Sequence, residues 1–465
     1  MSADSRDVVI RHIEHLVTVD ATRRVIADAA VVVRGGVFTW VGADADLPTA
    51  EVADLPVIDA SRMVGTPGFI DLHLHASFQL SRGLADEANA QEFLVKRMYP
   101  YEAALSRVDV GVSALMASRE SLLNGTTCFV DPGNQFPEAS VEGVARTGQR
   151  LVVARSAFDL KGSAFGVVPD DLVSTPERAQ HDADALVREF DGMLDGRVRA
   201  SVSFRGLNNS SDELIKALHE VAREHNRVLQ THACFNYSTH DASVSKHDVS
   251  EVSRLHRLGV LDELSMLVHC GWLQPEEVVL MKETGAGAVA APTSSMHNGY
   301  GNFVMGRVPE LLALGVPVGL GTDHACSGSN DLVREMFLVA CGYKEVRINP
   351  RVMPPESALE MATINAARIL GVEDQQGSVE VGKRADLVLF DADKPSWQPL
   401  FNPVSNLVYS ASGNTADTVL VDGEVVVRGG KLTRIEDGEV VDLGRKTASD
   451  LYQRLGGDNL VKARW

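Results

Sequence analysis

The sequence predicts an α/β fold, a (β/α)8 barrel flanked by a β-sandwich made from both chain ends. Three observations predict it. Between about Thr66 and Leu370, eight short β-rich runs alternate with stretches of helical period. Before and after that region the texture is of hairpins, with Gly and Asp-Gly turn signals. The chain has 465 residues, 45% of them hydrophobic, which is enough for a barrel of up to ~250 residues and a second layer besides. The expected organisation is residues 1–65 as the first part of the sandwich, 66–370 as the barrel, and 371–465 as the second part of the sandwich plus a tail helix.

The elements follow in order. Val8-Val9-Ile10 and Ala30 to Val33 are strand-like, and Gly35-Gly36 turns the chain into Val37 to Val41. The eight barrel runs are Phe69 to His73, Thr126 to Val130, Leu151 to Ala154, Val198 to Phe204, Val228 to Thr231, Met266 to Val268, Ala288 to Ala291 and Val316 to Leu320. Between them apolar residues recur at helical spacing, as at Leu214, Leu218 and Val221. Ala385 to Asp391 is a strand, and Thr418 to Val427 a hairpin around Asp422-Gly423. Lys446, Arg454, Lys462 and Arg464 belong to the amphipathic tail helix, a candidate oligomer contact.

Composition narrows the function. Acidic residues number 63 against 44 basic ones, a formal net charge of −19, with no basic stripe to neutralise phosphates. Neither nucleic acid nor an anionic membrane is an expected partner. No uncharged apolar run approaches the ~18 residues of a membrane span, and the polar start from Met1 to Asp7 has no apolar segment behind it. Five widely spaced cysteines make no disulfide framework, which fits a reducing cytoplasm. The expected partners are a small-molecule substrate, water and further copies of the chain.

The chemistry gathers at strand ends. In Phe69-Ile70-Asp71-Leu72-His73-Leu74-His75, residues i and i+2 of an extended chain point the same way, so His73 and His75 project together, about 7 Å apart along the chain. They lie at the C-terminal end of the first barrel run, where barrel active sites form. His232 ends the fifth run, His269 the sixth and Asp323 the eighth. Each alone reads more readily as a buried structural residue. Their convergence on one barrel face reads as a centre for a divalent metal ion, Zn2+, Co2+ or Fe2+, all of which accept such nitrogen and oxygen ligands.

Pro67-Gly68-Phe69-Ile70-Asp71-Leu72-His73-Leu74-His75, Ser81-Arg82-Gly83, Asn124-Gly125-Thr126-Thr127, Pro292-Thr293-Ser294-Ser295, Gly321-Thr322-Asp323 and Gly382-Lys383-Arg384-Ala385-Asp386-Leu387-Val388 together resemble the amidohydrolase superfamily over nearly the whole chain. The resemblance implies a distorted (β/α)8 barrel and metal ligation by His73, His75, His232 and Asp323. It also implies that His269 touches the activated water, the substrate or a second metal. In that scheme a metal lowers the pKa of water from 15.7 to about 7, Asp323 accepts its proton, and His269 donates to the developing negative charge.

Two departures shape the substrate expectation. In the branch that deaminates guanine and cytosine or hydrolyses chlorotriazines, a Glu follows the fifth-run His by three residues. Here His232-Ala233-Cys234-Phe235 places Phe235 there. The fourth run, Ser201 to Gly206, has no Lys to bridge two metals. A second metal would then have to lean on His269, Asn208 or His297. Losing the proton-carrying Glu points to attack at an acyclic carbonyl, and to a similarity with hydrolases of phenylurea and thiocarbamate herbicides. The expectation is hydrolysis of a C–N bond in a urea, carbamate, thiocarbamate or amide. The alternative is an aminoheterocycle deaminase or dehalogenase of triazine, pterin or purine type, with His297 or Asp241 as substitute acid. Substrate-facing residues are expected at Phe78, Gln79, Phe235, Trp272, His297 and His324, for which core packing or a turn is the competing reading.

Overall fold

A computed structural model describes residues 6–162 and 164–457. Most of the polar start, and Lys462 and Arg464 of the tail, lie outside the described residues.

All eight expected barrel strands form: Phe69–Asp71, Thr126–Val130, Arg150–Val153, Val198–Ala200 continued by Val202–Gly206, Leu229–Ala233, Ser265–His269, Gly287–Ala290 and Val318–Leu320. Every neighbouring pair is parallel. The ladder is interrupted twice, which distorts the barrel. At Ser201 the chain changes partner: the Ser201 amide donates to Val153 while the Val202 amide donates to Val228. Between the last strand and the first, closure rests on Leu72 N–H to Leu320 O at 2.9 Å and Asp323 N–H to His73 O at 2.8 Å. Gly321 permits that approach, because a Cβ there would stand 2.7 Å from the Cβ of His73.

The helix Asp212–His225 shows how the outer layer is specified. The Ser211 side chain caps it by accepting from the Leu214 amide at 3.1 Å. Leu214, Ile215, Leu218 and Val221 form its buried stripe, each contributing roughly 1.5–3 kcal/mol by leaving water. Asn226, at φ 50°, ends it in the left-handed conformation.

Strands from both chain ends form one nine-stranded sheet. Its seam is the antiparallel pairing of Leu387–Asp391 with Met63–Pro67, which joins the chain before and after the barrel. Ile10, Val31 and Phe38 from the first end share an apolar core with Leu387, Leu389 and Leu420 from the second. The sheet is stitched to the barrel by a buried cluster in which Arg150 donates to Asp386 at 2.8 Å and to Asp422 at 3.1 Å. The C-terminal helix, Asp437–Arg454, packs on the barrel helix Arg107–Leu123, with Arg454 bound to Asp109 at 2.7 Å. No helix among the described residues is long and apolar enough to cross a membrane.

Candidate metal centre and cavity

His73 and His75 follow the first barrel strand, and Leu74 between them bridges to Asp323. The alternation of an extended chain therefore turns Leu74 away and both imidazoles inward. His232 and His269 are carried by the fifth and sixth strands. His269 and Asp323 take left-handed backbone angles, φ 80° and 66°, a strained conformation for non-glycine residues that concentrates at functional sites.

One ligand atom from each of His73, His75, His232 and Asp323 lies within 4.8 Å of the others. Asp323 Oδ1 is 3.4 Å from His73 Nε2 and 3.5 Å from His75 Nε2. His75 Nε2 is 3.3 Å from His232 Nε2. His269 stands beside this group, its Nε2 3.9 Å from the other Asp323 oxygen, Oδ2. The Arg205 carbonyl accepts from His232 Nδ1 at 2.5 Å, which fixes the tautomer and turns Nε2 toward the centre.

The donor set fits a divalent cation. His73 Nε2 and Asp323 Oδ1, which face one another across the centre, are buried without a hydrogen-bond partner among the described residues, a costly arrangement unless a cation satisfies them. Burial holds the imidazoles of His75 and His232 well below the ordinary histidine range and brings His269 down to about 4. Neutral imidazole is the form that ligates. Burial pushes the Asp323 carboxyl up, but its interactions with the neighbouring His324, His73 and His269 rings outweigh it and hold Asp323 well below the carboxylate range. Asp71 braces the group from behind, accepting from the His73 amide at 3.1 Å and the Thr322 hydroxyl at 2.6 Å.

A cavity opens on this centre. Its walls include Phe78, Phe93, Phe165, Phe235 and Tyr300. Phe78 stacks on His75 with ring centroids 4.8 Å apart, and Phe235 packs against His269 at 5.7 Å and Tyr300 at 5.2 Å.

Of the six residues expected to face substrate, Phe78, Phe235 and His324 line this cavity, and Gln79, Trp272 and His297 do not. Gln79 lies in the short helix Ala76–Ser81 and turns away, donating to Glu120 and accepting from Asn330 at 2.9 Å. Trp272 sits behind the wall, its indole N–H donating to the Tyr300 carbonyl at 2.9 Å. His297 faces outward, 3.3 Å from Asp86. Asp241 is exposed on the helix Tyr237–His247, so neither proposed substitute acid lines the cavity. Burial pushes the Cys326 thiol up to about 12 and raises those of Cys234 and Cys270, which leaves no thiolate at the centre.

Nothing in the sequence marks Phe93, Phe165 or Tyr300 as wall residues, nor two ionisable ones. Arg205 ends the fourth strand and lines the cavity. Glu251, in the first turn of Glu251–Leu258, is fully buried there, and burial pushes its carboxyl up to about 7. Its oxygens accept from the Cys234 amide at 2.5 Å, the Thr239 hydroxyl at 3.1 Å and Asn208 Nδ2 at 3.2 Å. An acidic residue in a helix's first turn reads as an ordinary partner of the helix dipole, so nothing in the sequence marked it.

Residues 64–426 match the amidohydrolase family, and the chain belongs to it. It is 30% identical over 450 residues to the 5'-deoxyadenosine deaminase of Methanosarcina mazei, covering 97% of this chain and 99% of that protein. It is 30% identical over 426 residues to the 5-methylthioadenosine/S-adenosylhomocysteine deaminase of Desulforudis audaxviator, covering 91% and 95%. A zinc-bound adenosine deaminase structure from Xanthomonas campestris superposes with a TM-score of 0.85 at 24% identity, covering 96% of this chain and 99% of that one. The protein is thus a metal-dependent hydrolase acting on C–N bonds, with a centre for a divalent ion such as Zn2+.

The relatives overturn the expectation of an acyclic urea, carbamate or amide substrate, and with it the likeness to phenylurea and thiocarbamate hydrolases. That expectation rested on Phe235 standing where a Glu was looked for. Glu251 brings a carboxyl to the same cavity from another helix.

Proposed function

We propose that the protein is a hydrolytic deaminase of an aminated heterocycle of the adenine-nucleoside class. One observation carries this reading: an aromatic-walled cavity, suited to a flat ring, opens directly on the buried His73, His75, His232 and Asp323 group. The deaminase names of the relatives support it.

In the reaction the oxygen of water bonds to the ring carbon bearing the amino group, the C–N bond breaks, and ammonia leaves a ring carbonyl behind. His73, His75, His232 and Asp323 Oδ1 would hold a divalent ion, which acidifies water and acts as a Lewis acid when bound. Asp323 Oδ2, facing His269 at 3.9 Å and His324 at 3.5 Å, takes the proton released as water attacks. His269 orients the attacking oxygen, since its depressed pKa keeps it a neutral hydrogen-bonding group. Glu251, titrating near neutrality, carries a proton to the ring or the departing amine. The aromatic walls exclude bulk water.

Ammonia release tests the reading. The zinc-loaded protein is incubated with adenosine, 5'-deoxyadenosine, guanine, a pterin and an aminotriazine. Chelator-sensitive ammonia release from at least one is expected. No ammonia from any aminated ring would contradict it.

A further inference from the structure

The end of the barrel opposite the metal centre has its own cavity, with a cation in its wall. In the fourth strand, Val198 and Ala200 pack into the core beneath the outer helix Pro176–Phe190, against residues such as Leu186 and Val187. By strand alternation Arg199, between them, points into the barrel. Its ladder neighbour is Val152 of the third strand. Val152 belongs to the apolar cluster inside the barrel, together with Val228, Ile369 and Leu370. Those four residues and Arg199 line one cavity. Arg227, just before the fifth strand, and Glu263, just before the sixth, also line it, so the cavity is the N-terminal mouth of the barrel. It opens where the ladder changes partner at Ser201.

Arg199 is half-buried and makes no hydrogen bond and no ion pair among the described residues. Arg197, two positions earlier, shows the contrast by donating to Glu424 at 2.8 Å. The acids near Arg199 are already engaged. Asp191 binds Arg227 at 2.5 Å and accepts from the Ala200 amide at 3.0 Å. Glu263 is exposed and pairs with Arg223 at 2.7 Å. Arg368 brings a third guanidinium to the rim, where it donates to Asn365 at 3.0 Å. Burial, and then the charge of Arg227, pull the Arg199 guanidinium below its ordinary range, although Asp191 acts the other way. A desolvated charge without a partner is costly. In a chain of net charge −19, three arginines at one mouth form a local field that favours an anion. The planar guanidinium fork matches the two oxygens of a carboxylate, and the apolar walls match a short hydrocarbon body. We propose that the N-terminal mouth of the barrel binds a small aliphatic carboxylate, its oxygens on Arg199 and its hydrocarbon body against Val152, Val228, Ile369 and Leu370.

The test is calorimetric titration of sodium butanoate into the zinc-loaded protein and its Arg199→Met variant at one fixed ionic strength, with butanamide as the uncharged control. Met keeps the aliphatic stem and removes the guanidinium. Wild type should show a saturable butanoate site that butanamide fills at least about 10-fold more weakly. Arg199→Met should weaken butanoate at that site by about 10-fold or more, the worth of hydrogen bonds to a charged donor. Butanoate held by the metal is common to both proteins and cancels in the comparison. Melting adds a readout that a merely structural arginine would move the other way. Without ligand, Arg199→Met should melt no lower than wild type, because it removes an unpaired charge. Arg199→Gln repeats both measurements should the Met variant not fold. No saturable butanoate site in wild type, equal binding of butanoate and butanamide, equal butanoate binding by wild type and variant, or a lower melting temperature in the variant overturns the inference. None of these outcomes touches the heterocycle reading.

Discussion

Asp323 Oδ1 lies 3.4 Å from His73 Nε2, while the other oxygen of the same carboxylate faces His269 and His324. In the proposed reaction this one side chain would serve two directions, ligand on one side and proton acceptor on the other. Asp323→Asn keeps the shape and one oxygen but cannot take a proton as a carboxylate does. We expect kcat to fall by about 10²–10⁴-fold with the circular dichroism spectrum unchanged. An active Asn variant would remove Asp323 from proton transfer.

Phe235 fills the position where a proton-carrying Glu was looked for, and packs against Phe165, His269 and Tyr300. Its role in the account is a wall. Phe235→Leu should raise KM by about 2- to 10-fold, the worth of an aromatic contact, and change kcat little. A collapse of kcat at constant KM would assign it to the chemistry instead.

Glu251 is the second carboxyl. Glu251→Gln retains an oxygen for the Cys234 amide but cannot exchange a proton. As a general acid Glu251 must be protonated, so wild-type kcat should fall as pH rises past about 7. The Gln variant should lose about 10²-fold in kcat and that alkaline limb together. If the limb persists, another group titrates.

The barrel was legible because it obeys local rules. Eight runs appeared at their expected places, and the i, i+2 rule brought His73 and His75 to one side. What followed the strands was not legible. After His75 the chain coils into a short helix, so alternation no longer says where Gln79 points. Trp272 follows the left-handed turn at His269 and Cys270 and ends behind the wall. Arg205 and Glu102 are 103 positions apart, a pairing that only the closed barrel creates. Phe235 carries no proton to give, and no local pattern announces the arrival of Glu251 in the same cavity.

Burial also predicts a pH dependence of stability away from the centre. Glu335, on the helix Leu332–Val346, accepts from Thr293, and burial pushes its carboxyl up from 4.5 to about 8. Between those values the folded state binds the extra proton, so stability falls as pH rises through that window. One such group accounts for at most roughly 4 kcal/mol over three pH units. Glu335→Gln does not titrate. Urea denaturation at pH 5 and pH 8 should show wild type losing more stability than the variant. Equal losses would mean that Glu335 is ionised in the folded protein.

The proposed function depends on His73, His75, His232 and Asp323 closing around one cation. Calorimetric titration of Zn2+ into chelator-treated protein measures this directly. One ion per chain should bind in wild type, and His73→Ala should lose that binding. A wild type that takes up no ion, or a His73→Ala variant that binds it as tightly, would contradict it.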